Sequence, residues 1–189
     1  RSKGQALLNL LRNELEKTPS IINVSGKANS YYPLTIKEVN TETGELQEIQ
    51  GFNTSVDFDY FETMRIKVMA GRNFDKHLGE TEQNQIIVNE RFALAKNFGD
   101  SLDGGINTSY GRGKIIGIVQ DFNLFSVTKE IGPTVFQIDK RRGIGSLLIK
   151  FQPGTLSNSL MAAETAWNKL NPNNPFDFTL VEESNDSQF

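Results

Sequence analysis

The last third of the chain constrains the fold most. Leu147 to Phe151 is a short apolar run, and Pro153-Gly154-Thr155 supplies a turn and a helix start. Leu156, Leu160, Ala163, Trp167 and Leu170 then recur at steps of 4, 3, 4 and 3. That spacing places them on one apolar face of a helix of about 15 residues. Asn171-Pro172 stops it, because proline cannot extend a helix. Beyond it, Phe176, Phe178 and Leu180 alternate with Asp177 and Thr179, the pattern of a half-buried strand. Strand, helix and strand in this order form a βαβ or split βαβ unit.

The other end carries a matching signal. Leu7, Leu8, Leu11 and Leu15 lie at helical spacing, with Leu10 widening the stripe, and Thr18-Pro19 ends the helix. Ile21, Ile22 and Val24 read as a short buried strand. Residues 29–55 read as a hairpin: Ile36 and Val39 lead in, Thr43-Gly44 turns, and Leu46 and Ile49 lead out. Val56 to Met64 is a short helix or turn, and Gly71 ends a loose run of Ile66, Val68 and Met69.

Ile86-Ile87-Val88 is a core strand. Asn89 caps a helix bearing Phe92, Leu94, Ala95 and Phe98, with Gly99 closing it. Asp100 to Gly113 reads as a polar loop, and Ile115–Val119 and Thr134–Ile138 as buried strands. The result is an α+β chain without repeats or low-complexity tracts.

Composition excludes several chemistries. Cysteine is absent and His77 is the single histidine, so thiol nucleophiles, disulfide scaffolds and multi-histidine metal sites are unavailable. A net charge of −3 gives no basic field for nucleic acid. No apolar run reaches the roughly 18–20 residues that span a bilayer. The opening Arg-Ser-Lys-Gly, without an initiator Met, leads us to expect an excised soluble fragment with its targeting information elsewhere.

Each candidate site has a plain structural explanation. Gly111, Gly113 and Gly117 lack the preceding strand and following helix of a dinucleotide loop. Gly26-Lys27 and Gly113-Lys114 are not followed by the Ser or Thr of a phosphate-binding loop. Asp57, Asp59 and Glu62 suit a helix N-terminus, although two aspartates on one strand face can bind a cation or divide acid and base roles. His77 reads as a solvated loop residue. Lys140-Arg141-Arg142 reads as a solvated turn, with lipid headgroups as the other choice. Accordingly no residue is assigned a catalytic, cofactor-binding or metal-ligating role, and no cofactor is expected.

The order of short motifs carries more than any one of them. Val56-Asp-Phe-Asp-Tyr-Phe-Glu-Thr-Met64 runs into Ile66-Lys-Val-Met-Ala-Gly-Arg-Asn-Phe74. Ile87-Val-Asn-Glu-Arg-Phe-Ala93, Ile115-Ile-Gly-Ile-Val-Gln-Asp-Phe122, Ser126 and Ile131-Gly-Pro133 follow. This series resembles the extracytoplasmic (periplasmic core) domain of MacB/FtsX-like ABC transporter permeases. The closing Trp167, Asn171-Pro172, Pro175-Phe176, Phe178 and Leu180 resemble the version in multi-domain permeases of Bacteroidetes-like bacteria.

The resemblance implies a porter-like βαβ-type subdomain, residues 1–35 and 143–189, with a mixed α/β sabre-like lobe, residues 36–142, inserted in it. It also implies a non-enzymatic domain on the outer side of the bacterial inner membrane, coupling cytoplasmic ATP hydrolysis to events outside: mechanotransmission, export, or lipoprotein or peptide handling. Implied partners are a cytoplasmic ABC ATPase reached through the rest of the permease, a second permease copy, and a periplasmic adaptor or cargo; nucleic acid is not among them. Gly71, Gly117, Phe74 and Phe122 are then structural. The competing readings are a soluble solute- or peptide-binding module, and a hydrolase built on Asp57 and Asp59.

Overall fold

The computed structural model describes residues 3–39, 44–78, 84–96, 105–108, 111–122, 132–138 and 144–181. Two sheets organise the chain. The smaller pairs β1 (Ile21–Lys27) antiparallel with β9 (Ser146–Phe151), from Ile21 opposite Phe151 to Lys27 opposite Ser146. Helices α1 (Lys3–Leu15) and α4 (Leu156–Leu170) cover it.

A bulge sets the register of β1. The pairing shifts between Ile21 and Asn23, so Ile22 is the extra residue, and it is 49% exposed. Without that shift Ile21 and Val24, an odd number apart, would face opposite ways; both enter the same core. The expected burial of Ile22 is therefore corrected. So is that of Leu10, about 100° per residue around α1 from the Leu8, Leu11 and Leu15 stripe, and 52% exposed.

Helix α4 buries its small residues. Ser159, Ala163 and Ala166 are buried, while Leu160, Trp167 and Leu170 are half-buried and Leu156 is exposed. Small side chains let α4 approach α1 closely. The apolar face is thus rotated from the expected stripe. Thr155 does not cap α4 through its side chain: its hydroxyl donates to the Gln152 carbonyl at 2.7 Å. Glu14 on α1 accepts from Lys17 at 3.0 Å and Lys169 at 2.9 Å, and these bonds hold its carboxyl down to about 2.

The strand expected at Phe176 to Leu180 is not formed. Among the described residues they pair with no strand, and Phe178 and Leu180 are 52% and 50% exposed. Side chains hold this stretch in place of a ladder. Trp167 Nε1 donates to the Asn174 carbonyl at 2.9 Å, and the Phe176 and Phe178 rings stack at 5.7 Å. The βαβ unit therefore lacks its last strand.

The larger sheet runs β2 (Tyr32–Val39), β3 (Leu46–Ser55), β8 (Thr134–Gln137), β5 (Gln85–Asn89), β7 (Gly111–Val119), β4 (Val68–Gly71), with β6 (Gly105–Thr108) beside the start of β7. The β2–β3 hairpin is antiparallel, as are β5–β8, β4–β7 and β6–β7; β3–β8 and β5–β7 are parallel. Gly44 has φ +70° at the hairpin turn, and Thr43 lies outside the described residues. The polar stretch expected to be loop instead forms β6 and the start of β7. Its glycines hid a hairpin, since Gly113 packs against Ile86, where a Cβ would sit 3.0 Å from a methyl.

Both faces of this sheet are buried. Ile87, Ile116 and Phe136 join Val56, Tyr60, Phe61 and Phe74 on one side. Ile86, Val88, Ile115 and Val135 join Leu34, Ile36, Ile49, Phe92 and Ile106 on the other. Helix α2 (Tyr60–Thr63) serves the first face and α3 (Glu90–Ala95) the second. Helix α3 is shorter than expected, with Leu94 74% exposed; Phe98 and Gly99 lie outside the described residues.

Helix α2 ends with Arg65 at φ +56°. The amides of Arg65 and Ile66 bond back to the Glu62 and Phe61 carbonyls at 3.2 and 2.8 Å, the pattern of a left-handed helix stop that favours glycine. Arg65→Gly is expected to raise stability by about 0.5–1 kcal/mol. Urea unfolding of the two proteins, with equal slopes, checks it.

Candidate functional site

The ordered sequence motifs bind one another. Asn89 Oδ1 accepts from the Phe92 amide at 3.1 Å and the Thr134 amide at 2.8 Å, and its Nδ2 donates to the Gly132 carbonyl at 3.0 Å. One buried side chain thereby caps α3, starts β8 and holds the loop before it. Next to it, the Asp121 amide donates to Glu90 at 2.9 Å. The Asp121 carboxylate takes the Arg91 amide at 3.0 Å and Arg91 Nε at 3.1 Å.

Below these bonds lies an aromatic cluster. Phe61 meets Phe136 edge-on at 5.1 Å and Phe74 at 6.3 Å, and Phe122 stacks on Phe136 at 5.6 Å. Gly71 has φ +73°, and a Cβ on Gly117 would lie 2.4 Å from the Arg72 carbonyl oxygen. The expected structural roles of Gly71, Gly117, Phe74 and Phe122 fit these contacts. Ser126 and Ile131 lie outside the described residues.

The acids singled out in the sequence form a joint between the two sheets. Arg12 of α1 forms an ion pair with buried Asp57, lies 3.7 Å from Asp59, and donates through Nε to the Val24 carbonyl at 3.0 Å. Lys76 approaches Asp59 at 3.8 Å. Asp57 also sends its amide to the Gly26 carbonyl at 2.9 Å, beside the bridge between Lys27 and Val56. Burial pushes the Asp57 carboxyl up, against the pull of Arg12. Both carboxylates face the same Arg12 guanidinium nitrogen, and among the described residues no group of three metal-ligating side chains comes together.

The remaining candidates are scattered. Gly111, Gly113 and Gly117 all lie within strand β7. His77 is exposed, its amide bonded to Asp75 at 2.8 Å. Lys140, Arg141 and Arg142 lie outside the described residues.

One feature is lined in part by residues of the closing motif, Trp167, Phe176, Phe178 and Leu180. A groove of about 530 Å³ runs between α1, α4 and β9, with residues 176–181 along it. Leu7, Leu11, Leu147, Ile149, Ala163 and Trp167 line it. The surplus of apolar residues over 176–181 was its one sequence signal, read there as a strand.

No protein-family model and no curated protein matches the chain. Solved structures do. The extracellular domain of the noncanonic ABC-type transporter YknZ from Gram-positive bacteria aligns with TM-score 0.59 and 12% identity, over 84% of this chain and 81% of that one. The periplasmic region of MacB from Actinobacillus actinomycetemcomitans gives 0.60 and 16%, over 85% and 72%. A domain assigned to a permease of Porphyromonas gingivalis gives 0.55 and 15%, over 86% and 68%. The chain has the fold of these transporter domains. That fold is mixed α+β, as expected from the sequence. Among the described residues no helix is long and apolar enough to cross a membrane.

Two substitutions separate scaffold from joint. Asn89→Ala strands two backbone donors and is expected to cost about 2–4 kcal/mol, whereas Arg91→Ala, on a 60% exposed side chain, costs under ~1 kcal/mol. Arg12→Met leaves the Asp57 carboxylate buried without its guanidinium, a loss of about 3 kcal/mol at pH 7. The folded state binds the Asp57 proton more tightly than the unfolded chain. The deficit therefore grows as pH rises through the raised Asp57 range and shrinks toward pH 4. Urea midpoints at both pH values check the sign.

Proposed function

We propose that this chain is the extracytoplasmic domain of an ABC transporter permease. In this reading it couples ATP hydrolysis on the cytoplasmic side to mechanotransmission, export, or lipoprotein or peptide handling outside. The observation that carries the reading is the shared fold with three transporter domains over 84–86% of the chain. A non-enzymatic role accords with the motif residues between Val56 and Pro133, such as Asn89, Phe61 and Phe74, being occupied in holding one another. The cytoplasmic ATPase, a second permease copy and a periplasmic adaptor or cargo are the partners in this proposal, and the bacterial inner membrane is its setting.

The proposed organisation is discontinuous. Residues 1–35 and 143–189 form the porter-like part, and 36–142 form the inserted lobe. The division into two sheets supports this, with β2 from Tyr32 already in the larger one. Motion at the small sheet would reach the large one through the Arg12–Asp57 joint and the Lys27–Val56 bridge.

Two measurements test the proposal. The intact protein should carry a span of roughly 20 apolar residues on each side of this segment; soluble flanks overturn the reading. In the intact protein with its ATPase, any cysteines outside these 189 residues are first replaced, since this segment has none, and K37C and E164C, both at exposed positions, then take the spin labels. Nucleotide trapping should then change the label-to-label distance. An unchanged distance during active hydrolysis removes the coupling role.

A further inference from the structure

Three polar side chains stand together inside the larger sheet's second core. Asn53 and Ser55 of β3 are each 1% exposed, and Gln137 of β8 is 5% exposed. Among the described residues, no group bonds Asn53 Nδ2, Asn53 Oδ1, Ser55 Oγ or Gln137 Nε2.

The register puts all three on one face. In the parallel β3–β8 ladder Asn53 stands beside Val135 and Ser55 beside Gln137, and in the β5–β8 ladder Gln137 stands opposite Ile86. Side chains paired across a ladder share a face, as do alternate residues along a strand. Ile49, Val135 and Ile86 all belong to the core on the α3 side, so Asn53, Ser55 and Gln137 point into it. On β2, Tyr32 faces Asn53 from an exposed position. Ser25 Oγ also lacks a partner, but it lies opposite Leu148, which packs on the other core.

A buried amide or hydroxyl left unbonded is costly, and folded proteins rarely keep one. Four such atoms on neighbouring strands call for a common partner. Strands stand about 4.8 Å apart, farther than the roughly 2.7–3.2 Å of a hydrogen bond, and one small molecule spans that gap. The atoms include donors and acceptors, so the partner must be both. A cation repels the amide hydrogens, an anion repels the oxygens, and the surrounding Ile49, Ile86 and Val135 offer neither a counter-charge.

We infer that Asn53, Ser55 and Gln137 hold ordered internal water that bridges β3 to β8. One molecule accepts from the Asn53 and Gln137 amides and donates to Ser55 Oγ, about the three bonds usual for a buried water. Asn53 Oδ1 and the Ser55 hydroxyl proton serve a second. The Ser55 carbonyl accepts from the Ala28 amide at 2.9 Å, and the Gln137 carbonyl from the Val56 amide at 3.0 Å. The water therefore braces the two strand ends from which the joint to the small sheet departs. The inference does not rest on the transporter reading.

Water-selective NOE and ROE spectra of the isotope-labelled 189-residue chain test the site. The side-chain amide protons of Asn53 and Gln137 should show cross-peaks to water, with the NOE sign of a molecule that tumbles with the protein. Ser55→Ala should keep both cross-peaks, because the two amides still hold the water. Their loss traces them to hydroxyl exchange and overturns the proposal. Gln137→Met matches the side chain in length but donates nothing. It should lower the folded-to-unfolded ratio about fivefold in urea titrations, the loss of one satisfied bond. A raised ratio is the mark of a dry, unbonded donor and overturns the proposal. So does a parent chain without a water cross-peak at either amide, and the parent spectra carry the test alone if the variants misfold.

Discussion

The larger sheet depends on one constraint: β5 is buried on both faces. Ile87 points into one core, Ile86 and Val88 into the other. A strand covered twice needs a layer on each side, and α2 and α3 supply those layers with only 4 and 6 residues. Helices this short have little stability of their own. Their positions are fixed by what they bury, Tyr60 and Phe61 for α2 and Phe92 for α3, and by Asn89, which ties α3 to β8. The ordered motifs are the sequence record of that arrangement, and they mark a scaffold.

A different kind of contact joins the two sheets. Among the described residues one isolated bridge and a few amide bonds run between β1 with its continuation and the end of β3. Arg12 adds charge at that place, reaching Asp57, Asp59 and the Val24 carbonyl together. A buried pair of this kind gives little net stability but is strongly geometry-dependent. It therefore fixes orientation more than it adds strength, which suits a junction that must transmit position.

Legibility in the sequence followed the range of the forces. Apolar runs such as Ile86-Ile87-Val88 and Ile115 to Val119 revealed strands because burial on both faces demands them. Asn89 revealed a cap because capping acts within three residues. What failed depended on partners. Leu10 and Ile22 carry the right residue type, yet neighbouring elements decide which side they face, and a one-residue bulge decides for Ile22. The alternation at Phe176 to Leu180 records an apolar face without saying that a ladder partner exists. Strands β6 and early β7 were hidden because glycine lowers strand propensity while permitting the close contact Gly113 makes with Ile86. The groove was not legible as a site, since its walls come from α1, β9, α4 and the stretch after it, and the closing motif supplies only part of them.

The pairing of β1 with β9 also sets an order of assembly. Their residues stand more than a hundred positions apart in the chain, with the whole larger sheet between them. As the polypeptide emerges N-terminus first, α1 and β1 are present early, with their apolar sides uncovered. Their partner strand does not yet exist. The larger sheet, whose strands all lie between residues 32 and 137, can close meanwhile and bring the two ends together, shortening the loop that must be closed. Until Phe151 has appeared, Leu8, Leu11 and Val24 remain a sticky surface, and guarding them falls to whatever meets the nascent chain.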